Sequence, residues 1–127
     1  MQRQATATAG DFKPREVANV LWALATMGEI SDRGLLEAMQ KRATATAGGC
    51  KVRDVATVMW SLATMGERAD RDLLGAVQRR ATATVGEFKP QDVANVLWAL
   101  ATMGERADRG LLEAMQRRAT EIGRAHV

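Results

Sequence analysis

The chain has 127 residues with a formal net charge of +3, one cysteine, one histidine and no tyrosine. Its length suits one compact domain or a short repeat array, and its 46% hydrophobic and 26% charged residues indicate a folded chain. The single Cys50 excludes an internal disulfide and, with one histidine, most zinc sites built from protein ligands. No segment approaches the ~20 apolar residues of a membrane span, and the opening MQRQATATAG lacks the apolar core of a secretory signal.

The sequence is a repeat array with a period of 38 residues. The first copy is identical to the second at 25 of 38 positions and to the third at 30 of 38. The predicted units are repeat 1 (1–38), repeat 2 (39–76), repeat 3 (77–114) and the start of a truncated repeat 4 (115–120). Residues 121–127 leave the pattern and look like a translated adapter, so we interpret them as an adapter-derived or divergent tail and give His126 no functional weight.

The first of two predicted helices in each repeat begins at Phe-Lys-Pro (12–14), because proline suits the first helical position. It ends at a glycine that we expect to form a left-handed stop, namely Gly28, Gly66 or Gly104. At 100° per residue, its apolar face holds Val17, Val20, Leu21, Leu24 and Met27. Its opposite face holds Arg15, Asn19, Trp22 and Thr26.

The second helix is predicted to start at an aspartate N-cap, which is Asp32, Asp70 or Asp108, and to run to Gly48 or Gly86. Its core face holds Leu35, Met39 and Ala43, whereas Glu37, Gln40, Lys41 and Thr44 point away. The short turn between the two helices implies an antiparallel hairpin. The sequence therefore predicts an all-α fold, a right-handed α-solenoid of about three stacked helix-turn-helix hairpins.

The middle repeat departs most from the pattern. Cys50 replaces a phenylalanine, Val52 replaces a proline, and Gly75 stands where the other copies have glutamate. Glycine inside an exposed helix costs about 1 kcal/mol relative to alanine, so we expect this repeat to fray first. We interpret Cys50 as a small apolar core residue, since a reactive thiol would need a lowered pKa.

Residues suited to catalysis are scarce. Ser31 and Ser61 are the only serines, and the one histidine lies in the tail and so cannot be assigned to activate either. The glycines are isolated helix stops rather than a phosphate-binding loop. We therefore predict a chain that is not an enzyme and that uses no cofactor, no metal and no small-molecule substrate.

Basic residues recur with the 38-residue period and would form two stripes along a solenoid. One stripe is predicted from the pairs Lys41, Arg42, Arg79, Arg80, Arg117 and Arg118. The other, at the start of each first helix, consists of Lys13, Lys51 and Lys89. Such stripes suit contacts with an RNA backbone and a salt-sensitive affinity, although basic residues near a helix C-terminus also offset its dipole.

The polar face of the first helix offers candidate contacts with RNA bases. Asn19, Thr57 and Asn95 occupy equivalent positions, and Arg15, Arg53 and Gln91 lie one turn earlier. Modular RNA readers use two or three such side chains per helical repeat. The other interpretation is that these side chains bond only to a neighbouring helix or to solvent. The tryptophans could stack on bases, but packing between hairpins is the favoured interpretation for them.

The run Phe-Lys-Pro-x-(Asp/Glu)-Val-Ala-Asn-Val-Leu-Trp-Ala-Leu-Ala-Thr-Met-Gly and the 38-residue period resemble the octotricopeptide-type repeats of the RAP-domain-associated organellar RNA-binding proteins. The resemblance covers residues 1–120 and includes neither a Pro-Pro-Pro-Glu-Trp stretch nor a RAP domain. It implies an α-solenoid that binds single-stranded RNA, an organellar transcript or ribosomal RNA, in a mitochondrion or chloroplast. It also implies that Asn19, Thr57 and Asn95 hold the base-reading position.

The function predicted from the sequence is a non-enzymatic RNA-binding module in organellar RNA processing, stability or translation. Three repeats would contact about three nucleotides if each repeat reads one base. The alternative is a scaffold for protein partners, whose groove takes a peptide or a partner helix. No contact with a membrane is predicted, and we expect uncovered apolar ends to favour self-association.

Overall fold

The computed structural model describes residues 9–125, and every regular element in that range is helical. Six α-helices follow one another, with a single 3₁₀ turn between neighbours: α1 Pro14–Met27, α2 Arg33–Thr46, α3 Val52–Met65, α4 Arg71–Ala83, α5 Pro90–Met103 and α6 Arg109–Ala125. Helices α1 and α2, α3 and α4, and α5 and α6 pair in turn, and we call these pairs hairpins 1, 2 and 3. The all-α prediction is thereby confirmed for the described residues.

The hairpins recur with the 38-residue period. Their first and last residues differ from those of the repeat units counted from residue 1. Residues 38 and 76 fall inside α2 and α4, because a repeat counted from residue 1 begins partway through a second helix. Residues 121–125 of the predicted tail continue α6, while His126 lies outside the described residues, as do residues 1–8. Within residues 9–125, no helix combines the length and the apolar character needed to cross a bilayer.

The predicted start signals are confirmed. Pro14 and Pro90 occupy the first turn of α1 and α5, where a missing N–H leaves no bond unmade. The N–H of Lys13, which precedes α1, donates to the carboxylate of Glu16 at 2.9 Å. Each second helix begins after an aspartate whose carboxylate accepts backbone N–H groups two or three residues later, namely Asp32, Asp70 and Asp108.

Glycine ends each first helix, but not in the predicted left-handed helical conformation. Gly28, Gly66 and Gly104 have φ angles of 63°, 61° and 59°, whereas their ψ angles are −128°, −120° and −117°. A left-handed helical stop would have ψ near about +47°. The difference arises because the chain passes directly into a 3₁₀ turn at each glycine. Only glycine tolerates this backbone region without strain.

One hydrophobic core runs through all six helices. First helices pack against one another, α1 on α3 and α3 on α5, and second helices do the same less extensively. The largest side chains in this core are almost fully buried: Leu21, Met39, Met59, Leu62, Leu73, Phe88, Leu100, Leu111 and Met115. Each hairpin is therefore stabilised by its neighbour as well as by its own two helices.

The predicted core face of the first helix is incomplete in hairpin 1. Met27 is 45% exposed and Val20 is half-buried, whereas the equivalent Met65 and Met103 are each 5% exposed. These positions face the preceding hairpin, and α1 has no hairpin before it among the described residues. The prediction is therefore correct for hairpins 2 and 3 and wrong for Met27.

Gln40 is predicted to point away from the core, and this prediction is wrong. Gln40 is 4% exposed because its amide bonds to the following hairpin. Its Nε2 donates to the Arg68 carbonyl at 3.2 Å, and its Oε1 accepts the Asp70 N–H at 2.6 Å. The Oε1 of Gln78 accepts the Asp108 N–H at 2.7 Å in the same way. A glutamine amide thus joins each hairpin to the next.

Arginine side chains make a second bond across the same junctions. Arg68 Nη1 donates to the Gly28 carbonyl at 2.9 Å, and Arg106 Nη1 donates to the Gly66 carbonyl at 2.8 Å. The equivalent residue of hairpin 1 is Ile30, which is 82% exposed. Both junctions within the described chain therefore have one bond from an aspartate N–H to a glutamine amide and one bond from an arginine to a glycine carbonyl, beside the apolar contact.

Replacing Gly75 with glutamate is expected to raise the free energy of unfolding by about 1 kcal/mol, because glycine is the poorer helix former. A Cβ at this position of α4 would meet only the flexible end of Arg79, at 3.2 Å, and the new carboxylate could pair with that arginine one turn later. Urea denaturation of the wild type, Gly75→Glu and Gly75→Ala would separate the helix-forming and charge contributions. Unchanged midpoints in both variants would contradict the expectation.

Candidate nucleic-acid interface

All predicted base-contact residues lie on one surface of the three first helices, which we call the first-helix face. Because α1, α3 and α5 pack side by side, equivalent positions form rows across them. The rows, taken from the helix starts, are Arg15, Arg53 and Gln91; Asn19, Thr57 and Asn95; Trp22, Trp60 and Trp98; and Thr26, Thr64 and Thr102. Every side chain in these rows is exposed or partly exposed.

The three tryptophans stack on one another across the hairpin junctions. Ring centroids are 6.0 Å apart between Trp22 and Trp60 and 5.8 Å apart between Trp60 and Trp98, with interplanar angles of 30° and 22°. Trp60 thus stacks on one tryptophan of each neighbouring hairpin and is partly buried, while Trp22 and Trp98 remain 48% and 47% exposed. The favoured prediction of packing between hairpins is confirmed, and the row also forms an apolar strip on the first-helix face.

A groove on the first-helix face brings predicted base-contact residues together with the tryptophans. Its volume is about 270 Å³, and it is lined by Trp22, Ala56, Thr57, Trp60 and Asn95. Two residues of the predicted base-reading row therefore line the same concavity, whereas Asn19 lies outside it. The lining of the groove thus combines apolar ring surface with hydrogen-bonding groups.

The side chains of the base-reading row keep hydrogen-bond donors and acceptors that a ligand can use. The Thr57 hydroxyl donates to the Arg53 carbonyl at 3.0 Å, so its oxygen can still accept a hydrogen bond. Gln91 Nε2 donates to Asn95 Oδ1 at 3.3 Å, which leaves the Asn95 NH₂ group as a donor. The Asn19 side chain is exposed and has no hydrogen-bond partner within residues 9–125.

The two predicted basic stripes lie along one edge of the molecule. In an antiparallel hairpin the C-terminal end of the second helix is beside the start of the first, and Arg42 Nε donates to the Phe12 carbonyl at 3.1 Å at this position. We call this edge the basic edge. Its exposed cations include Lys13, Lys51, Lys89, Lys41, Arg79 and Arg117. The N-termini of the first helices add their positive dipole ends to it.

The second arginine of each basic pair has a structural role that the sequence analysis did not assign. Arg42, Arg80 and Arg118 are half-buried. Their Nε atoms donate to the carbonyls of Phe12, Cys50 and Phe88 at 3.1, 2.9 and 3.0 Å. These bonds tie the end of each second helix to the start of its own first helix. Of each predicted pair, only the preceding residue, which is Lys41, Arg79 or Arg117, is exposed to solvent.

A second concavity lies at the basic edge, between hairpins 1 and 2. It has a volume of about 280 Å³ and is lined by Lys13, Pro14, Arg15, Gly49, Lys51 and Asp54. Arg15 Nε lies 3.8 Å from Oδ1 of Asp54, which is 6% exposed. Arg15 therefore lies with the lysines and reaches across the junction to Asp54, and its contact with an RNA base stays a prediction.

The two serine hydroxyls are bonded to backbone carbonyls, and the thiol of Cys50 is buried. Ser61 is buried and its hydroxyl donates to the Thr57 carbonyl at 2.9 Å, while the Ser31 hydroxyl donates to the Gly28 carbonyl at 2.8 Å. Cys50 is 4% exposed. Burial raises the pKa of its thiol, and the neighbouring Asp54 carboxylate raises it further against the opposing effect of Arg80. The prediction of Cys50 as a core residue is confirmed.

We expect the Cys50 thiol to react with iodoacetamide at least about 100-fold more slowly in the native chain than in denaturant, because burial blocks access and the raised pKa depletes the thiolate. The folded chain keeps its proton at pH values where the unfolded thiol, with a pKa of about 8.5, loses it. This contribution to stability is therefore complete below that pH and is lost as the pH rises. A Cys50→Val variant should lack this alkaline loss, and equal pH profiles of stability would contradict it.

Comparison with known families relates the whole described chain to one described family. The model of a family described as RESC6, RNA-editing substrate-binding complex 6 protein, matches residues 1–126. The match spans all three hairpins, and so it includes both the first-helix face and the basic edge. The comparisons with curated proteins and with solved structures gave no match.

Proposed function

Because the chain belongs to the RNA-editing substrate-binding complex 6 protein family, we propose that it is a non-catalytic module that binds single-stranded RNA within an RNA-processing assembly. The family description names both an RNA-editing substrate and a complex, which accords with one surface for RNA and others for protein. An organellar location, with the mitochondrion preferred to the chloroplast, is part of this proposal. A relationship to the octotricopeptide-type repeats, which the sequence resembles, is also part of this proposal.

We also propose that the hairpins form a right-handed α-solenoid whose concave side is the first-helix face. Packed helices have axes about 8–10 Å apart, yet the tryptophan rings on this face are 6.0 and 5.8 Å apart. The tryptophan rings are therefore closer together than the axes of the helices that carry them, which supports a concave surface on this side. The second helices contact one another less extensively than the first helices do, which supports a convex surface on their side.

The proposed RNA path crosses the three first helices at right angles to them. Phosphates lie on the basic edge, and bases point along the helices toward the rows that contain Asn19 and Trp22. Asn19 is six residues, or about 9 Å, along α1 from Lys13. A stacked strand advances only about 3.4 Å per nucleotide, so one nucleotide per hairpin requires a stretched, unstacked strand, which is the form whose bases proteins can read.

The observation that carries this proposal is the groove in which Thr57 and Asn95 lie beside Trp22 and Trp60. Asparagine and threonine can donate and accept hydrogen bonds with base edges, and tryptophan offers aromatic surface to any base. Asn19, Thr57 and Asn95 would read bases with help from Arg53 and Gln91. The exposed cations would hold the backbone.

Titration of the full chain with a random single-stranded RNA pool at several salt concentrations tests the proposed function. We expect the logarithm of the affinity to fall linearly with the logarithm of salt concentration, by about 0.7 per phosphate contact, and a short sequence to be enriched. Duplex RNA of matched composition is the control, because its bases are inaccessible in the deep major groove. Absence of binding at low salt, or equal affinity for the duplex, would contradict the proposal.

A protein scaffold is the second candidate, and exposed apolar residues at the start of the hairpin series favour it. Ile30 is 82% exposed and Met27 is 45% exposed, and an apolar surface of this kind suits a partner helix. If the RNA titration fails, this candidate takes precedence.

A further inference from the structure

We propose that the concavity at the basic edge between hairpins 1 and 2 is a site for one phosphate group, which we call the junction phosphate site. Its lining consists of Lys13, Pro14, Arg15, Gly49, Lys51 and Asp54. The inference deepens the proposed function and rests on it for the source of the phosphate, which is the backbone of the bound RNA. It adds that the hairpins hold the strand unequally and that this junction makes the strongest phosphate contact.

The lining of the junction phosphate site is positively charged. Lys13, Arg15 and Lys51 are exposed cations, whereas Asp54 is the one carboxylate among the lining residues. Arg15 Nε lies 3.8 Å from Oδ1 of Asp54, and the Arg15 side chain is 62% exposed. This ion pair offsets the charge of the buried carboxylate, so the charges of the two lysines remain uncompensated within the lining. Such a lining suits a phosphate group, whose oxygens accept charge-assisted hydrogen bonds from lysine and arginine.

Gly49 distinguishes this junction from the junction of hairpins 2 and 3. The residues equivalent to Gly49 in the other repeats are Asp11 and Glu87, which are acidic and exposed. The positions equivalent to the lining therefore hold three cations and two carboxylates between hairpins 2 and 3, namely Lys51, Arg53, Lys89, Glu87 and Asp92. Because a nearby carboxylate repels an anion, the junction that has glycine attracts phosphate more strongly.

The backbone N–H of Lys51 adds a hydrogen-bond donor to the site. In hairpins 1 and 3 the lysine before the first helix donates its N–H to a carboxylate three residues later, namely Lys13 to Glu16 at 2.9 Å and Lys89 to Asp92 at 3.4 Å. In hairpin 2 the equivalent carboxylate is that of Asp54, which lies beside Arg15. The N–H of Lys51 makes no such bond and has no acceptor within residues 9–125. A phosphate oxygen in the site would accept it.

Gly49→Glu tests the site directly, because it gives hairpin 2 an acidic residue like those of the other repeats. Gly49 is exposed, and a Cβ at this position would have no neighbour within 4 Å, so folding should persist. We expect the affinity for single-stranded RNA to fall at least about 5-fold at moderate salt, and the slope of log affinity against log salt to fall by about 0.7, the value for one phosphate contact. Fluorescence anisotropy of a labelled RNA measures both.

Gly34→Glu is the matched control for this variant. It adds the same charge at an exposed glycine of α2 on the opposite edge, where the equivalent residue of hairpin 2 is Asp72. Its affinity should stay within about 2-fold of the wild type, because salt screens exposed charges that are far apart. The reverse change, Glu87→Gln, should tighten binding about 2-fold or more by removing a carboxylate from the basic edge. Glu67→Gln, on the opposite edge, should leave the affinity unchanged.

Titration of the full chain with inorganic phosphate, followed by NMR of the backbone amides, tests the site without RNA. The amide signal of Lys51 should shift in a saturable way, because its N–H is an available donor in the site. The amide of Lys89, whose N–H already bonds to a carboxylate, should shift much less. In the Gly49→Glu variant the shift of the Lys51 amide should require a higher phosphate concentration.

The two experiments separate the failure of this inference from the failure of the proposed function. If RNA binds but Gly49→Glu and Gly34→Glu lose affinity equally, the junction phosphate site is overturned and RNA binding stands. If RNA does not bind but inorganic phosphate shifts the Lys51 amide, the proposed function fails and the site stands with another source of phosphate. A Lys51 amide that does not respond to phosphate overturns the inference whether or not RNA binds.

Discussion

Replacing Gln40 with alanine is expected to lower the free energy of unfolding by about 2 kcal/mol. The amide of Gln40 bonds to the Arg68 carbonyl and to the Asp70 N–H across the junction of hairpins 1 and 2. Alanine would leave both backbone groups without these partners and open a small void around a side chain that is 4% exposed. Urea denaturation, carried out where the chain is monomeric, measures the change.

Gln116→Ala is the matched control for this prediction. It is the same substitution at the equivalent helical position, but Gln116 is exposed and has no partner within residues 9–125. Its unfolding free energy should remain within about 0.5 kcal/mol of the wild type. Equal losses in the two variants would mean that the glutamines act through the helix and not through the junction.

Replacing Lys13, Lys51 and Lys89 together with alanine is expected to weaken single-stranded RNA binding at least 10-fold at moderate salt. These exposed lysines precede the first helices and supply part of the basic edge. The loss of three phosphate contacts should also reduce the salt dependence, lowering the slope of log affinity against log salt by about 2. Fluorescence anisotropy of a labelled RNA measures both.

The triple variant of Arg33, Arg71 and Arg109 to alanine is the control for the lysine variant. It removes the same charge from equivalent exposed positions, but at the starts of the second helices, on the opposite edge. We expect a much smaller loss of affinity and an almost unchanged slope. If both variants lose affinity equally, RNA binding depends on net charge and the basic edge has no special role.

Much of the fold was predictable because its signals are local. The prolines before α1 and α5 and the aspartate caps of the second helices act within one turn of their own helix. The 38-residue period then repeats each signal three times. Gly28 was predicted as a helix stop for the same reason, although its ψ depends on the 3₁₀ turn that follows and could not be inferred from residue type.

Burial at the junctions was less predictable because it depends on the neighbouring hairpin. Gln40 looks like a solvent-facing residue on a helical wheel. In the structure its amide accepts a backbone N–H from a residue thirty positions later, and the side chain is buried at the junction. Met27 looks like a core residue, yet no hairpin among the described residues covers it. Equivalent residues in different repeats have different surroundings at the ends of the series.

The rows of residues in the candidate site were predictable from the sequence, whereas their arrangement into one surface was not. A helical wheel places Asn19 and Trp22 on one side of α1, and this holds in the structure. The stacking of the tryptophans, and the pairing of Arg15 with Asp54 across a junction, follow from packing between hairpins. The two basic stripes share one edge because each hairpin is antiparallel, and Arg42 is partly withdrawn from that edge by its bond to Phe12.

The tryptophan fluorescence of the chain tests the central claim, RNA binding on the first-helix face, most directly. The chain has three tryptophans and no tyrosine, and all three tryptophans lie in one row of this face. Titration with single-stranded RNA should quench their emission in a saturable way, with the same Kd that anisotropy of the labelled RNA gives. RNA binding that is clear by anisotropy but leaves the tryptophan emission unchanged would place the RNA elsewhere and contradict the account.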